Sequence, residues 1–324
     1  MESAPFLPFR HFRRWTTSLW LLAAFAAPLA ATPAAAAEAF LGVDGAGKLP
    51  IIDSHYHVVQ GFDGAELLAV MDRNGVRLAG GAGGNNMPAM MALGRRFIRP
   101  AGQHAWKSTH RSLDATDFAN PESPAVQQML ATIEGELRDR GARVIGEIHV
   151  NALTTAADPT SRFKVAADSG TLQALFALAA RYGRPLNIHA QWNHPDTVRQ
   201  VGALAASSPQ ARLIVSHCGS VSSAADMRRF LEQYPNTACD LSARGWPLQK
   251  NRYAVYDERT LERDWQQLIE DHPDRFVVGV DLAGNPQDYE TSVQAIRNGL
   301  LANLTPATAE KVAHCNAEAW FGLH

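Results

Sequence analysis

Three cysteines in 324 residues, at positions 218, 239 and 315, are too few and too irregularly spaced to build a disulfide framework. They are expected as buried, small apolar residues. Charge is scarce as well. Only 19% of residues are charged, and 30 Lys and Arg stand against 32 Asp and Glu. A balance so near neutral provides no basic stripe, which excludes a nucleic-acid partner gripped by its phosphates. Two nucleotide signatures are missing too. No Gly-x-Gly-x-x-Gly follows the first strand, and the glycine-rich patch Gly80–Asn86 lacks the spacing and the Lys-Ser/Thr of a P-loop. That patch is expected to be a flexible loop. With 46% hydrophobic residues and no linker or composition shift after the first segment, what remains is a single soluble globular domain.

The first segment stands apart. Arg10, Arg13 and Arg14 precede an apolar run from Leu19 to Ala31, and Ala34-Ala35-Ala36-Ala37 then supplies small residues before Glu38. This is the order of a secretory signal peptide. A spanning helix wants ~20 apolar residues, whereas this run is short and is broken by Pro28 and Pro33. The expected division is therefore a signal peptide over 1–37 and a single folded domain over 38–324, placing the mature chain in the periplasm or outside the cell with no stable membrane insertion. Whether export is general or by a twin-arginine route stays open.

Beyond Glu38, strand and helix signals alternate. Apolar runs at Ile51–Val58, Val76–Gly80, Phe97–Arg99, Ala142–Val150, Pro185–His189, Arg212–His217, Thr237–Leu241 and Phe276–Asp281 read as eight strands. Helical spacing separates most of them, as in Val126, Met129, Leu130, Ile133 and Leu137 after Pro124. Between Arg95 and Asn120 the pattern is weak, and Gln103, His104, Trp106, Lys107, His110 and Arg111 are expected in an irregular loop suited to substrate contacts. Eight strand–helix units over ~270 residues predict an α/β fold, a (β/α)8 TIM barrel in one domain.

In such a barrel, the C-terminal ends of the strands converge on one mouth, where active sites of this fold are built. His55 and His57 end the first strand. One residue apart, they share a face about 7 Å apart at ~3.3 Å per residue, and a modest lean lets both reach one metal ion. Glu147, His189, His217 and Asp281 end the fourth, fifth, sixth and eighth strands. Each alone is explicable as a hydrogen-bonded core residue. Together they are not, because every unpaired buried imidazole or carboxylate costs stability. They point to a metal site.

The ordered set Ile-Ile-Asp-Ser-His-Tyr-His (51–57), Ile-Val-Ser-His-Cys-Gly (214–219) and Asn-Ala-Glu-Ala-Trp-Phe-Gly-Leu (316–323) resembles the amidohydrolase superfamily, and within it the amidohydrolase-related branch, over about residues 50–323. That branch contains hydrolases, lactonases and non-oxidative decarboxylases. Here the eighth strand reads Gly-Val-Asp where the branch often has Gly-Ser-Asp. The resemblance implies His55, His57, His189 and Asp281 as metal ligands, His217 as a ligand of a second ion or a polariser of the substrate, and Glu147 as a bridge. Imidazoles with a carboxylate suit Zn²⁺ first and Mn²⁺, Fe²⁺ or Co²⁺ as well. The expected reaction is attack of a metal-activated water on a small-molecule ester, lactone or amide, with Asp281 moving the proton. Decarboxylase or lyase chemistry at the same metal site is the alternative, and a non-catalytic metal-binding protein a third. Trp192, Asn193 and His194 after the fifth strand, and Arg244 and Trp246 after the seventh, are candidates to line a pocket for a planar or carboxylate-bearing molecule, and are equally explicable as loop packing. Substrate identity, metal count and homo-oligomerisation stay open.

Overall fold

The computed structural model describes residues 39–59, 63–154 and 162–323. The expected signal peptide lies outside these residues. Nine strands run in chain order: β1 (Ile51–Val58), β2 (Val76–Gly84), β3 (Phe97–Ile98), β4 (Pro100–Ala101), β5 (Val144–Asn151), β6 (Leu186–Ala190), β7 (Leu213–Val215), β8 (Thr237–Asp240) and β9 (Phe276–Val277). They form one sheet in the order β1-β2-β3 and another in the order β4-β5-β6-β7-β8-β9, every pair parallel. Parallel neighbours need long crossovers, and helices supply them.

The regular ladder is broken twice, so the continuous closed sheet expected from the sequence is present as two parallel sheets. Only Arg99 separates β3 from β4. Phe97–Ala101 is therefore one extended run that pairs first with β2, at Ala79 and Phe97, and then with β5, at Pro100 and Val144. The second break follows β9. There residues 278–281 bond to β1: Ser54 N–H donates to the Val278 carbonyl (3.0 Å), His57 N–H to the Asp281 carbonyl (2.9 Å) and Asp281 N–H to the His55 carbonyl (2.6 Å). Gly279 makes that approach feasible, since a Cβ there would lie 2.6 Å from the Cβ of His55.

Inward side chains from six strands, Ile52, Ile98, Val144, Ile214, Ala238 and Val277, meet in one buried cluster. The C-terminal helix Asn316–Phe321 stoppers it with Ala317 and Phe321. Three arginines placed just before β5, β6 and β7 hold the stopper. Arg143, Arg184 and Arg212 donate to the carbonyls of Gly322 (3.1 Å), Phe321 (3.1 Å) and Ala319 (2.7 Å). Cationic donors satisfy carbonyls that a helix C-terminus leaves without partners. A larger cluster packs the outer faces of the strands under the helices. Val126, Met129, Ile133 and Leu137 of the helix Pro124–Asp139 are buried there at the spacing read from the sequence. Among the described residues, no helix is long and apolar enough to cross a membrane.

Three expectations are corrected. Gly80–Gly84 is strand, not flexible loop: a Cβ on Gly81 would meet the Ser54 carbonyl at 2.1 Å, so glycine is what lets β2 lie so close to β1. The segment expected to be irregular contains the helices Gln103–Ser112 and Ala115–Ala119. The first of these buries only Trp106, so it writes no apolar stripe into the sequence. Finally, Cys218 and Cys239 are not separate apolar fillers. They form a disulfide with Cα atoms 4.9 Å apart, while Cys315 is free. Parallel pairing of β7 with β8, which sets Val215 opposite Cys239, brings the two sulfurs together.

Candidate metal centre

β1 delivers His55, fully buried, and His57, whose side chain is 14% exposed, with ring centroids 5.4 Å apart. β5 places Glu147 between them and the other histidines. Its Oε1 is 2.6 Å from His189 Nδ1 and 3.2 Å from His217 Nε2. Its Oε2 is 3.3 Å from His57 Nε2 and 3.2 Å from His149 Nε2. Asp281 closes the group: its Oδ1 lies 3.7 Å from His55 Nε2 and 3.5 Å from His57 Nε2. The structure thus brings together all six strand-end residues singled out in the sequence.

Two of the positions are held in backbone conformations that L-residues avoid. His217 has φ 53° and Asp281 φ 70°, each sustainable only where the surroundings over-determine it. For His217 the surroundings include Arg244, which donates to its carbonyl at 3.0 Å. For Asp281 they include the backbone bonds to β1 and buried Asp53, which accepts from Val280 N–H (2.9 Å) and from the Tyr289 hydroxyl (2.8 Å). The Nδ1–H of His217 has the Ser242 carbonyl as its acceptor (2.9 Å), which turns Nε2 toward Glu147.

Two residues of the site escaped the sequence reading. Asp240, at the end of β8, binds His55 Nδ1 from behind. His149 shares Glu147's face of β5, two residues on. Signals for both were present: Asp240 is the ionisable end of a seventh apolar run, and period-2 alternation puts residue 149 beside residue 147.

The electrostatics favour a cation. Burial opposes the imidazolium of His55, yet Asp240, Glu147 and Asp281 outweigh it and hold the group up at about 10. Burial likewise disfavours the carboxylate of Glu147, but His189 and His149 keep it well below the usual range. Asp240 is lowered too, by His55 against burial. His217 is raised by Asp281 and Glu147 against its burial. The His189 imidazole, unlike those of His55 and His217, is pushed down, to about 4, chiefly by burial.

The donor set fits a divalent metal. His55 Nε2 is buried and has no hydrogen-bond partner, a costly arrangement unless the lone pair has another use. It stands 3.9 Å from Glu147 Oε1 and 3.7 Å from Asp281 Oδ1. These separations are too long for hydrogen bonds, but lie within the ~4.2 Å that two ligands sharing one ion at ~2.1 Å can span. Three overlapping groups meet this requirement: His55–His217–Asp281, His55–His57–Glu147 and Glu147–His189–His217.

The expected substrate residues fare differently. Arg244 does not overhang the mouth; it is fully buried. Its guanidinium donates to the carbonyls of His217, Cys218, Ser222 and Tyr253 and packs 4.7 Å from the Trp265 ring. Those bonds leave no fork for a substrate carboxylate. Trp192 packs edge-on against Phe230 and lines an outer groove with Val198, Arg199 and Tyr234. His194 is exposed at the start of the helix Pro195–Ser207, and Trp246 is half-buried beneath Lys250. From the segment expected to be loop, Trp106 donates to the His149 carbonyl (3.0 Å), and His110 stacks 3.8 Å from Phe163, whose ring lies 6.1 Å from that of His149.

Comparison with known proteins agrees with this geometry. A family model described as Amidohydrolase matches residues 52–323. No curated protein matches the chain. Among solved structures, an amidohydrolase from Burkholderia multivorans with bound HEPES is 14% identical, with 85% of this chain and 100% of that chain covered and a TM-score of 0.53. A structure described as molecular engineering of organophosphate hydrolysis activity from a weak promiscuous lactonase template is 17% identical, with 88% and 100% covered and a TM-score of 0.53. A mutant of organophosphorus hydrolase from Deinococcus radiodurans is 16% identical, with 89% and 99% covered and a TM-score of 0.50. At these identities, the likeness is one of fold.

Proposed function

Because this chain belongs to the amidohydrolase family, and is thus an enzyme of that type, we propose that it is an exported hydrolase that uses a divalent metal ion to cleave a small-molecule ester, lactone or amide. The two parallel sheets around a common interior are read as its (β/α)8 barrel. The observation that carries the proposal is the buried, unpartnered Nε2 of His55 among Glu147, His57 and Asp281.

His55, His57, His189 and Asp281 would hold the ion. Glu147, which turns its two oxygens to different imidazoles, would serve as a further ligand. Zinc suits the set first, and manganese, iron or cobalt are compatible with it. Such an ion, when bound, polarises a carbonyl and makes water acidic enough to act as a nucleophile near neutral pH.

The chain's own groups do the rest. Asp281 is more open than Glu147 or Asp240, which suits it to take the proton of the attacking water and return it to the leaving group. His217, with Nδ1 committed to Ser242, presents Nε2 to the site and steadies charge developing on the substrate oxygen. Asp240 fixes the tautomer and orientation of His55.

The test is a panel of esters, lactones, amides and aromatic carboxylates turned over by metal-replete protein in ¹⁸O-labelled water. Label in the product acid establishes hydrolysis. Carbon dioxide release without label would replace it with decarboxylation, and tight metal binding without turnover on any member would leave a binding protein.

A further inference from the structure

We propose that the rim of the mouth is an apolar collar that receives a flexible hydrocarbon chain, which makes the substrate an aliphatic acyl ester, lactone or amide. The inference rests on the hydrolase reading above and deepens it. Among the described residues, seven large apolar side chains are exposed, and five of them, Met87, Met91, Leu153, Leu248 and Leu282, lie on segments that leave the C-terminal end of β2, β5, β8 or β9. Paired strands are parallel throughout, so these ends share the face on which the metal ligands sit. The other two, Phe40 and Val43, precede β1.

Each of the five is tied to the surroundings of the metal centre. The backbone N–H groups of Asn85 and Asn86 donate to the Val58 carbonyl (3.0 and 3.1 Å), next to His57. The helix Met87–Leu93 that starts there buries Ala89 and Leu93 and leaves Met87 and Met91, four apart, 61% and 66% exposed. Leu153 stands two residues beyond β5 between pinned neighbours: Ala152 N–H donates to the Phe163 carbonyl (3.0 Å) and Thr154 N–H to Gln191 Oε1 (2.8 Å). Leu282 follows Asp281, and the next carbonyl, that of Ala283, accepts from the Tyr56 hydroxyl (3.4 Å). Leu248 precedes Gln249, whose Nε2 donates to the carbonyl of Ser220, in the turn that carries His217 (3.4 Å).

The opposite ends of the strands are built otherwise. Arg143, Arg184, Arg212 and Arg275 stand just before β5, β6, β7 and β9. Single exposed apolar residues scattered over a surface are ordinary, whereas five gathered on the segments around one mouth mark a binding surface. Its chemistry selects the ligand. Methionine and leucine adapt to a flexible chain, and the thioether in particular repacks around ligands of varied shape. Arg244, the arginine expected at this mouth, is turned inward and grips no anionic tail. When water adds across the acyl–oxygen or acyl–nitrogen bond, the hydrocarbon chain stays on the carboxylic acid, so the product acid itself probes the collar.

The test is calorimetric binding of straight-chain carboxylates of about four to ten carbons to the metal-replete protein, a readout that needs no turnover. A fully buried methylene is worth about fourfold in affinity, so partial shelter on a rim should give about twofold per added methylene. The slope should flatten in the double variant Met87→Gln/Met91→Gln and in Leu153→Gln, all changed at exposed positions, and persist in Phe40→Gln, whose apolar side chain is also exposed but precedes β1. Affinity independent of chain length, or a slope that the rim variants leave intact, overturns the collar. So does binding to phosphatidylcholine vesicles with no slope, which would make the rim a lipid-docking surface, or a dimer with no slope that the rim variants dissociate, which would make it an interface between copies. A slope in a protein that hydrolyses no aliphatic ester, lactone or amide would keep the collar as a site for aliphatic acids and remove the hydrolase reading instead.

Discussion

Asp240 grips His55 from behind: its Oδ2 binds Nδ1 of the ring, and this directs the opposite nitrogen, buried and without a partner, at Glu147 and Asp281. The carboxylate never needs to touch a metal to matter. By holding the Nδ1 proton it fixes the tautomer that offers a lone pair at Nε2, and it raises the basicity of that lone pair. The neighbouring disulfide ties Cys239, beside Asp240, to Cys218, beside His217, so the strand that carries Asp240 and the turn that carries His217 are joined covalently.

Asp240→Asn tests this relationship. An amide can still accept from Nδ1–H but carries no charge, so metal affinity should fall about 10–100-fold, as is usual when an outer carboxylate is lost. Competition with a metal-buffering chelator measures it. Unchanged affinity would reduce Asp240 to a packing partner of His55.

Arg244 yields a prediction opposite to its sequence expectation. Its side chain satisfies the buried carbonyls of His217, Cys218 and Ser222, and each one left without a donor costs about 1–3 kcal/mol. Arg244→Ala should therefore destabilise the fold by about 3 kcal/mol or more in denaturant unfolding. Arg244→Lys should recover only part of this, because an ammonium cannot reproduce the guanidinium fork. KM of the surviving folded enzyme should not change. A higher KM at unchanged stability would return Arg244 to substrate binding.

What was legible from sequence follows from how each feature is encoded. Strands buried on both faces appear as apolar runs, and a polar residue at the end of such a run stands out, which is why His189, His217 and Asp281 were found. Asp240 ends a run in the same manner, but a carboxylate that stands behind a ligand has the same sequence pattern as the ligand itself. Arg244 was misplaced because sequence gives its position after a strand but not the inward turn toward the carbonyls of His217 and Cys218. The helix Gln103–Ser112 was hidden by its polarity: one buried tryptophan anchors it, and a single anchor has no period. The Cys218–Cys239 pair depends on strand register, which no spacing of 21 residues reveals.

Export remains to be tested at the N-terminus. The arginines at 10, 13 and 14, the apolar run and the alanines at 34–37 predict cleavage before Glu38. Intact-mass measurement of protein from periplasmic and membrane fractions should find a chain beginning there. Recovery of residues 1–37 still attached in the membrane fraction would refute it.

The reaction class turns on Asp281. Its Oδ1 lies 3.7 and 3.5 Å from the Nε2 atoms of His55 and His57, so its carboxylate faces the place where an ion would sit, while 14% of the side chain stays open to a substrate water. Asp281→Asn keeps the shape and one oxygen but cannot take a proton. Because positioned acid–base groups contribute about 10²–10⁴-fold, kcat should fall by that factor. Metal content should fall much less, since His55, His57, His189 and Glu147 remain. His55→Ala should instead lose metal and activity together, for it removes a ligand atom that is buried with no hydrogen-bond partner. Parallel metal analysis and steady-state kinetics on the two variants separate holding the ion from moving the proton. If Asp281→Asn turned over at the wild-type rate, proton transfer would have to come from elsewhere in the cluster, and His217, whose Nε2 faces the same space, would be the next residue to change.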